Sequence, residues 1–346
     1  MKRSLTLLLT ASILATLAPI LRAAEPKKVI VVTVTTGFRH SSIPYAEKTL
    51  QKLGEESKAF TVVDLVQQPT AVIVKKPEAP RKPADLKPDA DEKAKTQYER
   101  DLKKFGDEQA KYDAAMAKWT PADDEKAKAS QAEWDAQLKT ALARLSPAEL
   151  TAKKIDGVIF ANTTGDLPLP DKDGFIKWIE AGHAFMGMHS ASDTFHGFQG
   201  YKDMLQAEFK THGAQVPADL VAGDTAHPAN AGLGGKWQIA QEEMYEFKDG
   251  SHDRSKVRAL WFLQHHPQKA TELGYNAVSW CRMADKGRVF YTSLGHREDL
   301  WSDDPALKDR KNSIEMSKQF QAHILGGIKW ALGLAEGSAV PNPEVK

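Results

Sequence analysis

The sequence predicts an α/β protein: a parallel core sheet with helices on both faces, and a helical hairpin inserted into one connection. Three observations point there. The chain enters on a β-branched run apolar on both faces, a strand-helix-strand rhythm appears on either side of a charged stretch, and that stretch carries apolar residues at heptad spacing.

The first segment, MKRSLTLLLTASILATLAPILRAA, has two early positive charges, an uncharged apolar stretch from Leu5 to Leu21, and small residues at Ala23 and Ala24. That is the build of a secretory signal peptide. Pro19 and Arg22 leave it short and interrupted for a span of about 20 apolar residues. Residues 1–24 are therefore expected to direct export to the periplasm or beyond the cell. Loss of Lys2, Arg3 and Arg22 would move the formal charge from +1 to −2. A near-neutral chain lacks the basic excess that displaces counterions, so nucleic acid is not an expected partner. The single Cys281 excludes an internal disulfide and a Cys-rich zinc site, and no disulfide-linked partner is expected. Stability must come from a packed core.

From Lys28 the run KVIVVTVTTGFRHSS suits a central strand, Ile43 to Leu53 a helix, and FTVVDLV at 60–66 a second strand. Residues 75–150 then hold 16 Lys+Arg and 16 Asp+Glu. Tyr98, Leu102, Phe105, Gln109, Tyr112, Met116 and Trp119 recur there at steps of four and three. Ala127, Gln131, Trp134, Leu138, Ala141 and Leu145 do the same after the Thr120-Pro121 restart. An antiparallel hairpin is expected, standing out from the domain and free to dock a protein partner. Beyond it, the capping box at Ser146–Glu149, the strand IDGVIFANTTGD, a helix from Asp173 to Ala181 and the strand HAFMGMHSASD restore the α/β rhythm. RALWFLQHH, NAVSWCRM and GRVFYTSLGH read as strands, and Ser313 to Leu332 as the last helix. Residues 25–74 and 151–346 thus form one α/β domain, interrupted by residues 75–150.

Ligands of parallel sheets bind beyond the carboxyl ends of the strands. Those ends here carry Gly37-Phe38-Arg39-His40, Asn162-Thr163-Thr164-Gly165-Asp166, Gly187-Met188-His189-Ser190-Ala191-Ser192-Asp193 and Gly295-His296-Arg297, which brings His40, His189 and His296 to one rim. The stretch Gly187–Ala191 has the shape of a nucleophile elbow with His189 at its apex. With neither Cys nor Ser at that apex, an acyl-enzyme route is not expected. Cys281, inside an apolar strand, reads as a small buried residue.

GFRH, DGVIFANTTGD, GMHSASDTFHGF, DTAHP, EEMYEF and GRVFYTSLGH together resemble the ThuA-like, or trehalose-utilisation, family, from about Val29 to Gly333. The resemblance implies a flavodoxin-like, class I glutamine amidotransferase-like three-layer fold whose amidotransferase cysteine has been lost. It also implies a role in sugar utilisation and a polar cluster of His40, His189, Asp193, His227, Glu243 and His296. Several imidazoles with a carboxylate could hold a divalent metal such as zinc, with His189, His296 and Glu243 as candidate ligands. The same groups could act as general acid and base. His189, His296, Glu243 and His40 are the expected catalytic set, and Asp193, His227, Arg39, Tyr245 and Trp301 the expected substrate-binding set. Tyr245, Trp301 or Phe195 could offer an aromatic face to a sugar ring. The expected function is carbohydrate processing, by a lyase, hydrolase or isomerase acting on a sugar or keto-glycoside. A non-catalytic sugar-binding module is the alternative.

Overall fold

The computed structural model describes residues 25–268 and 273–345, so the expected signal peptide lies outside the described residues. In chain order the elements are β1 (Lys27–Val32), α1 (Ile43–Ser57), β2 (Phe60–Val66), α2 (Glu92–Met116), α3 (Pro121–Ala143), α4 (Pro147–Ala152), β3 (Gly157–Ala161), α5 (Lys172–Glu180), β4 (Ala184–Met188) and α6 (Gln199–Leu205). There follow β5 (Phe209–His212), β6 (Val216–Ala222), β7 (Lys236–Glu242), β8 (Tyr245–Phe247), β9 (Arg258–His265), β10 (Leu273–Ala284), β11 (Gly287–Thr292), α7 (Glu298–Trp301) and α8 (Ile314–Ala331).

Nine strands form one sheet in the order β2-β1-β3-β4-β11-β10-β9-β6-β7, and β5 pairs with β8 in a second, two-stranded sheet. The first five are mutually parallel. The expectation of a parallel sheet holds for that half only: β10, β9, β6 and β7 each run antiparallel to the neighbour before them. Connection length explains the switch at β10 and β11, where only Asp285 and Lys286 separate the paired residues Ala284 and Gly287. Two residues close a hairpin, whereas a parallel crossover needs a dozen or more. Asp285, with φ of 50°, supplies the left-handed backbone of that turn.

Alternate residues of β1 feed opposite cores. Val29 and Val31 pack with Leu50 of α1 and with Phe320, Ile324 and Ile328 of α8. Ile30 and Val32 pack with Phe175 and Ile179 of α5 and Leu205 of α6. This two-sided burial is why the strand is apolar without alternation. Trp178, Trp261 and Trp330 are buried in these cores.

The charged stretch forms α2 and α3, joined by residues 117–120, with Thr120 and Asp123 making a capping box. The α2 seam from Tyr98 to Trp119 is partly buried while no α2 residue is fully so. Toward its end α3 changes character: Leu138 and Leu142 are buried in the same core as Ile30 and Phe160. Residues 67–91 lack long regular structure and run back along α3. Ala71 N–H donates to Gln137 Oε1 (3.1 Å), Val74 N–H donates to Ser130 Oγ (2.9 Å), and Lys76 pairs with Asp124 (2.9 Å).

Leu142 has no exposed surface, so Leu142→Ala is expected to cost about 2–5 kcal/mol in chemical denaturation. Phe105→Ala, in the solvated α2, is expected to cost less than half as much; equal losses would contradict this division of the arm.

Candidate functional site

Adjacent parallel strands bring their carboxyl ends together by construction. His40 follows β1, Asn162 follows β3, His189 follows β4, and His296 follows β11. The antiparallel half contributes Glu243, from the two-residue step between β7 and β8. His189 has φ of 50°, a left-handed backbone that a side chain with a Cβ rarely adopts. Its surroundings hold it there: Tyr291 Oη donates to the His189 carbonyl (2.7 Å). Asn162, also left-handed at φ 56°, donates through Nδ2 to Ser42 Oγ (2.8 Å) and to the Gly295 carbonyl (2.9 Å), which ties the start of α1 to the loop bearing His296.

One ligand atom from each of His40, His189, Glu243 and His296 lies within 4.8 Å of the others. His189 Nδ1 sits 2.9 Å from the Ser293 carbonyl, and a carbonyl can only accept. Nδ1 therefore carries the proton and Nε2 offers a lone pair. Tyr245 Oη is 2.8 Å from that Nε2 and donates to it. His40 Nε2 is 3.1 Å from His189 Nε2, and His40 Nδ1 is 3.3 Å from Ser190 Oγ. Glu243 Oε2 lies 3.1 Å from His296 Nδ1 and 3.9 Å from His189 Nε2. The contact with His296 is close but not aligned as a hydrogen bond, so both atoms keep unused bonding capacity.

Burial sets the electrostatics. His189 is held well below the ordinary imidazole range by burial and by the neighbouring rings of His40 and His296. His40 is pushed down to about 3 by burial, then by His296 and His212. Both are neutral near pH 7, the state in which imidazole binds a metal or accepts a proton. Burial also acts to lower His296, but Glu243, Glu242 and Glu298 outweigh it and hold the ring above its ordinary value. The site thus combines two neutral imidazoles with a third that a carboxylate favours as a cation.

The neighbouring acids divide the work. Glu242 is fully buried and accepts from the backbone N–H groups of His296 (2.9 Å) and Arg297 (3.4 Å). Burial raises it to about 7. It positions the loop, while Glu243 faces the imidazoles.

The substrate-binding set is scattered. His227 stands apart, with Nε2 3.5 Å from Cys281 Sγ, its ring against Trp330, and Nδ1 accepting from Ala229 N–H (3.2 Å). Trp301, expected to offer an aromatic face, is fully buried. Its Nε1–H donates to the Gly295 carbonyl (2.8 Å) and its ring meets Phe320 edge-on, so it presents no face to a sugar. Phe195 is also buried. Tyr245 does join the cluster, through its hydroxyl rather than an open ring face. Arg39 turns to the Thr33 carbonyl (3.1 Å) and Gln68 (3.3 Å), and Asp193 engages His196 (2.5 Å). His212, missed from sequence, has Nδ1 3.4 Å from Glu243 Oε1 and its ring stacked on Tyr245. The pairing of β5 with β8 sets His212 opposite Tyr245, a register that the short run FKTH does not announce.

Glu242→Gln is expected to destabilise the fold by about 1–3 kcal/mol in thermal denaturation, because an amide N–H₂ cannot accept from both backbone N–H groups. Glu243→Gln is expected to cost less than Glu242→Gln, because Glu243 contacts the side chains of His296 and His212 rather than a loop backbone. Equal destabilisation by the two would contradict the division of roles.

Two solved structures share this fold. The family model ThuA, described as trehalose utilisation, matches residues 116–331. A ThuA-like protein of Parabacteroides merdae ATCC 43184 is 16% identical with a TM-score of 0.52, covering 89% of this chain and 90% of its own. One from Bacteroides uniformis ATCC 8492 is 13% identical with a TM-score of 0.52, covering 91% of this chain and 95% of its own. At these identities the two likenesses speak to the fold. No curated protein matches the chain. The family match spans well over half of the 346 residues, and the chain belongs to the ThuA trehalose-utilisation family.

Proposed function

We propose that this chain is an exported carbohydrate-processing enzyme that acts on a sugar or keto-glycoside at a metal-binding site formed by His40, His189, Glu243 and His296. The observation that carries the reading is the convergence of those four ligand atoms within 4.8 Å. Bonds of roughly 2.05 Å in a tetrahedral site put ligand atoms about 3.3 Å apart. Three of the six pairwise separations, 3.1, 3.1 and 3.9 Å, bracket that value, and all six fall within 4.8 Å. The bond from His189 Nδ1 to the Ser293 carbonyl is the kind of outer support that orients a metal-ligating imidazole.

A divalent cation bound there would supply Lewis acidity toward a sugar carbonyl. The protein's own groups supply the rest. When it is not ligated to the cation, His296, paired with Glu243, can instead move a proton at the carbon beside that carbonyl, in an elimination, hydration or isomerisation. A covalent cysteine route has no support, since Cys281 is buried and burial pushes its thiol far up. The parallel half, with order β2-β1-β3-β4-β11, supports a flavodoxin-like assignment, in which the strand order reverses at β1 and β3 and ligands enter there. Residues 75–150 are then an insertion into that domain. The charged, apolar and small-residue succession of residues 1–24 supports export.

The test is turnover of 3-keto-disaccharides by the purified protein. His296 keeps 18% of its side chain exposed and pairs with the buried Glu243, so His296→Ala is assayed at a temperature where its own melting curve shows it fully folded. The same variant is expected to lose at least about a hundredfold in kcat. Wild-type protein without turnover, or a variant with unchanged kcat, would contradict the proposal.

A further inference from the structure

Sugar recognition joins two demands: hydrogen-bonding groups for the hydroxyls and an apolar face for the C–H side of the ring. The cluster meets the first, yet Tyr245, Trp301 and Phe195, the aromatic candidates from sequence, are all buried. Phe38 is not. The residue is 67% exposed, on the loop that carries His40.

That exposure does not come from a loose loop. Thr164 Oγ1 donates to the Phe38 carbonyl (2.8 Å), and Thr36 N–H donates to the Thr164 carbonyl (2.9 Å). A Cβ added at Gly37 would come 3.1 Å from Thr164 Oγ1, so the backbone lies tightly against the end of β3. Arg39 is drawn the other way, toward Thr33 and Gln68. The Phe38 ring stands T-shaped beside His40, centroids 4.8 Å apart, and His40 belongs to the four-residue cluster. A large aromatic held on a braced backbone, open to water and touching the reactive group, is poorly explained by packing.

We propose that Phe38 is the stacking platform for the pyranose ring of the substrate, seating the ring beside the cluster of His40, His189, Glu243 and His296. The ligand class is a pyranoside that offers an uninterrupted C–H face to the aromatic ring. The inference rests on the carbohydrate reading above and adds the residue that orients the ring.

The experiment is calorimetric titration of the full chain with trehalose and with cellobiose, comparing wild type with Phe38→Ala, Phe38→Leu and Phe38→Trp. Melting temperatures are measured alongside and are expected to agree within about 2 °C, because the ring is exposed. Phe38→Ala and Phe38→Leu are each expected to weaken binding at least about tenfold. Phe38→Trp is expected to stay within about threefold and to change its indole fluorescence on saturation. Wild-type affinity in Phe38→Ala or Phe38→Leu would overturn the stacking role and leave the carbohydrate reading standing. Failure of the wild type to bind either sugar would overturn the platform, while the carbohydrate reading stands or falls on turnover of 3-keto-disaccharides.

Discussion

The hydrogen bond from His189 Nδ1 to the Ser293 carbonyl fixes the tautomer of the imidazole at the centre of the site. The residue has no exposed surface, and its unprotonated Nε2 faces His40 and Glu243 while accepting from Tyr245. Both partners are backbone-determined. Ser293 follows β11, His189 follows β4, and these strands are parallel neighbours in register from Arg288 and Ala184 to Thr292 and Met188. A slip of that register would take the carbonyl away and leave a buried imidazole unsatisfied, at a cost of several times RT. Sheet geometry and site chemistry are therefore coupled at one contact.

The site is assembled from two kinds of sheet. The parallel half contributes the imidazoles at adjacent strand ends, while the antiparallel half contributes the acids at the step from β7 to β8. Glu242 crosses between the halves by accepting from the backbone of the His296 loop, and Glu243 follows it into the cluster. Consecutive residues of an extended chain face opposite ways, which is why one carboxylate can brace the loop while the next meets the rings.

Much of this was legible in sequence, for identifiable reasons. The β1 run and the helix periods report burial directly, and equivalent strand ends placed His40, His189 and His296 at one rim. What sequence hid was direction and facing. The antiparallel half escaped because runs such as NAVSWCRM look the same in either orientation. The expectation of an aromatic face at Trp301 fails because α7 tucks its ring beneath Gly295. His227 shares a motif with the family pattern but folds against Cys281 and Trp330. Phe38, in a strand-end motif visible from the start, gains meaning only once its exposure and its contact with His40 are known. The arm was half legible: its heptad seam marks the helices, but nothing local says that Leu138 and Leu142 belong to the main core.

Metal content tests the central claim most directly. Purified full-length protein is loaded with zinc, desalted, and analysed by elemental analysis before and after chelator treatment, beside Glu243→Gln. The expected result is about one zinc per chain in the wild type, removed by chelator, and far less in the variant. Zinc absent from the loaded wild type, or retained equally by Glu243→Gln, would contradict a metal site built from His40, His189, Glu243 and His296.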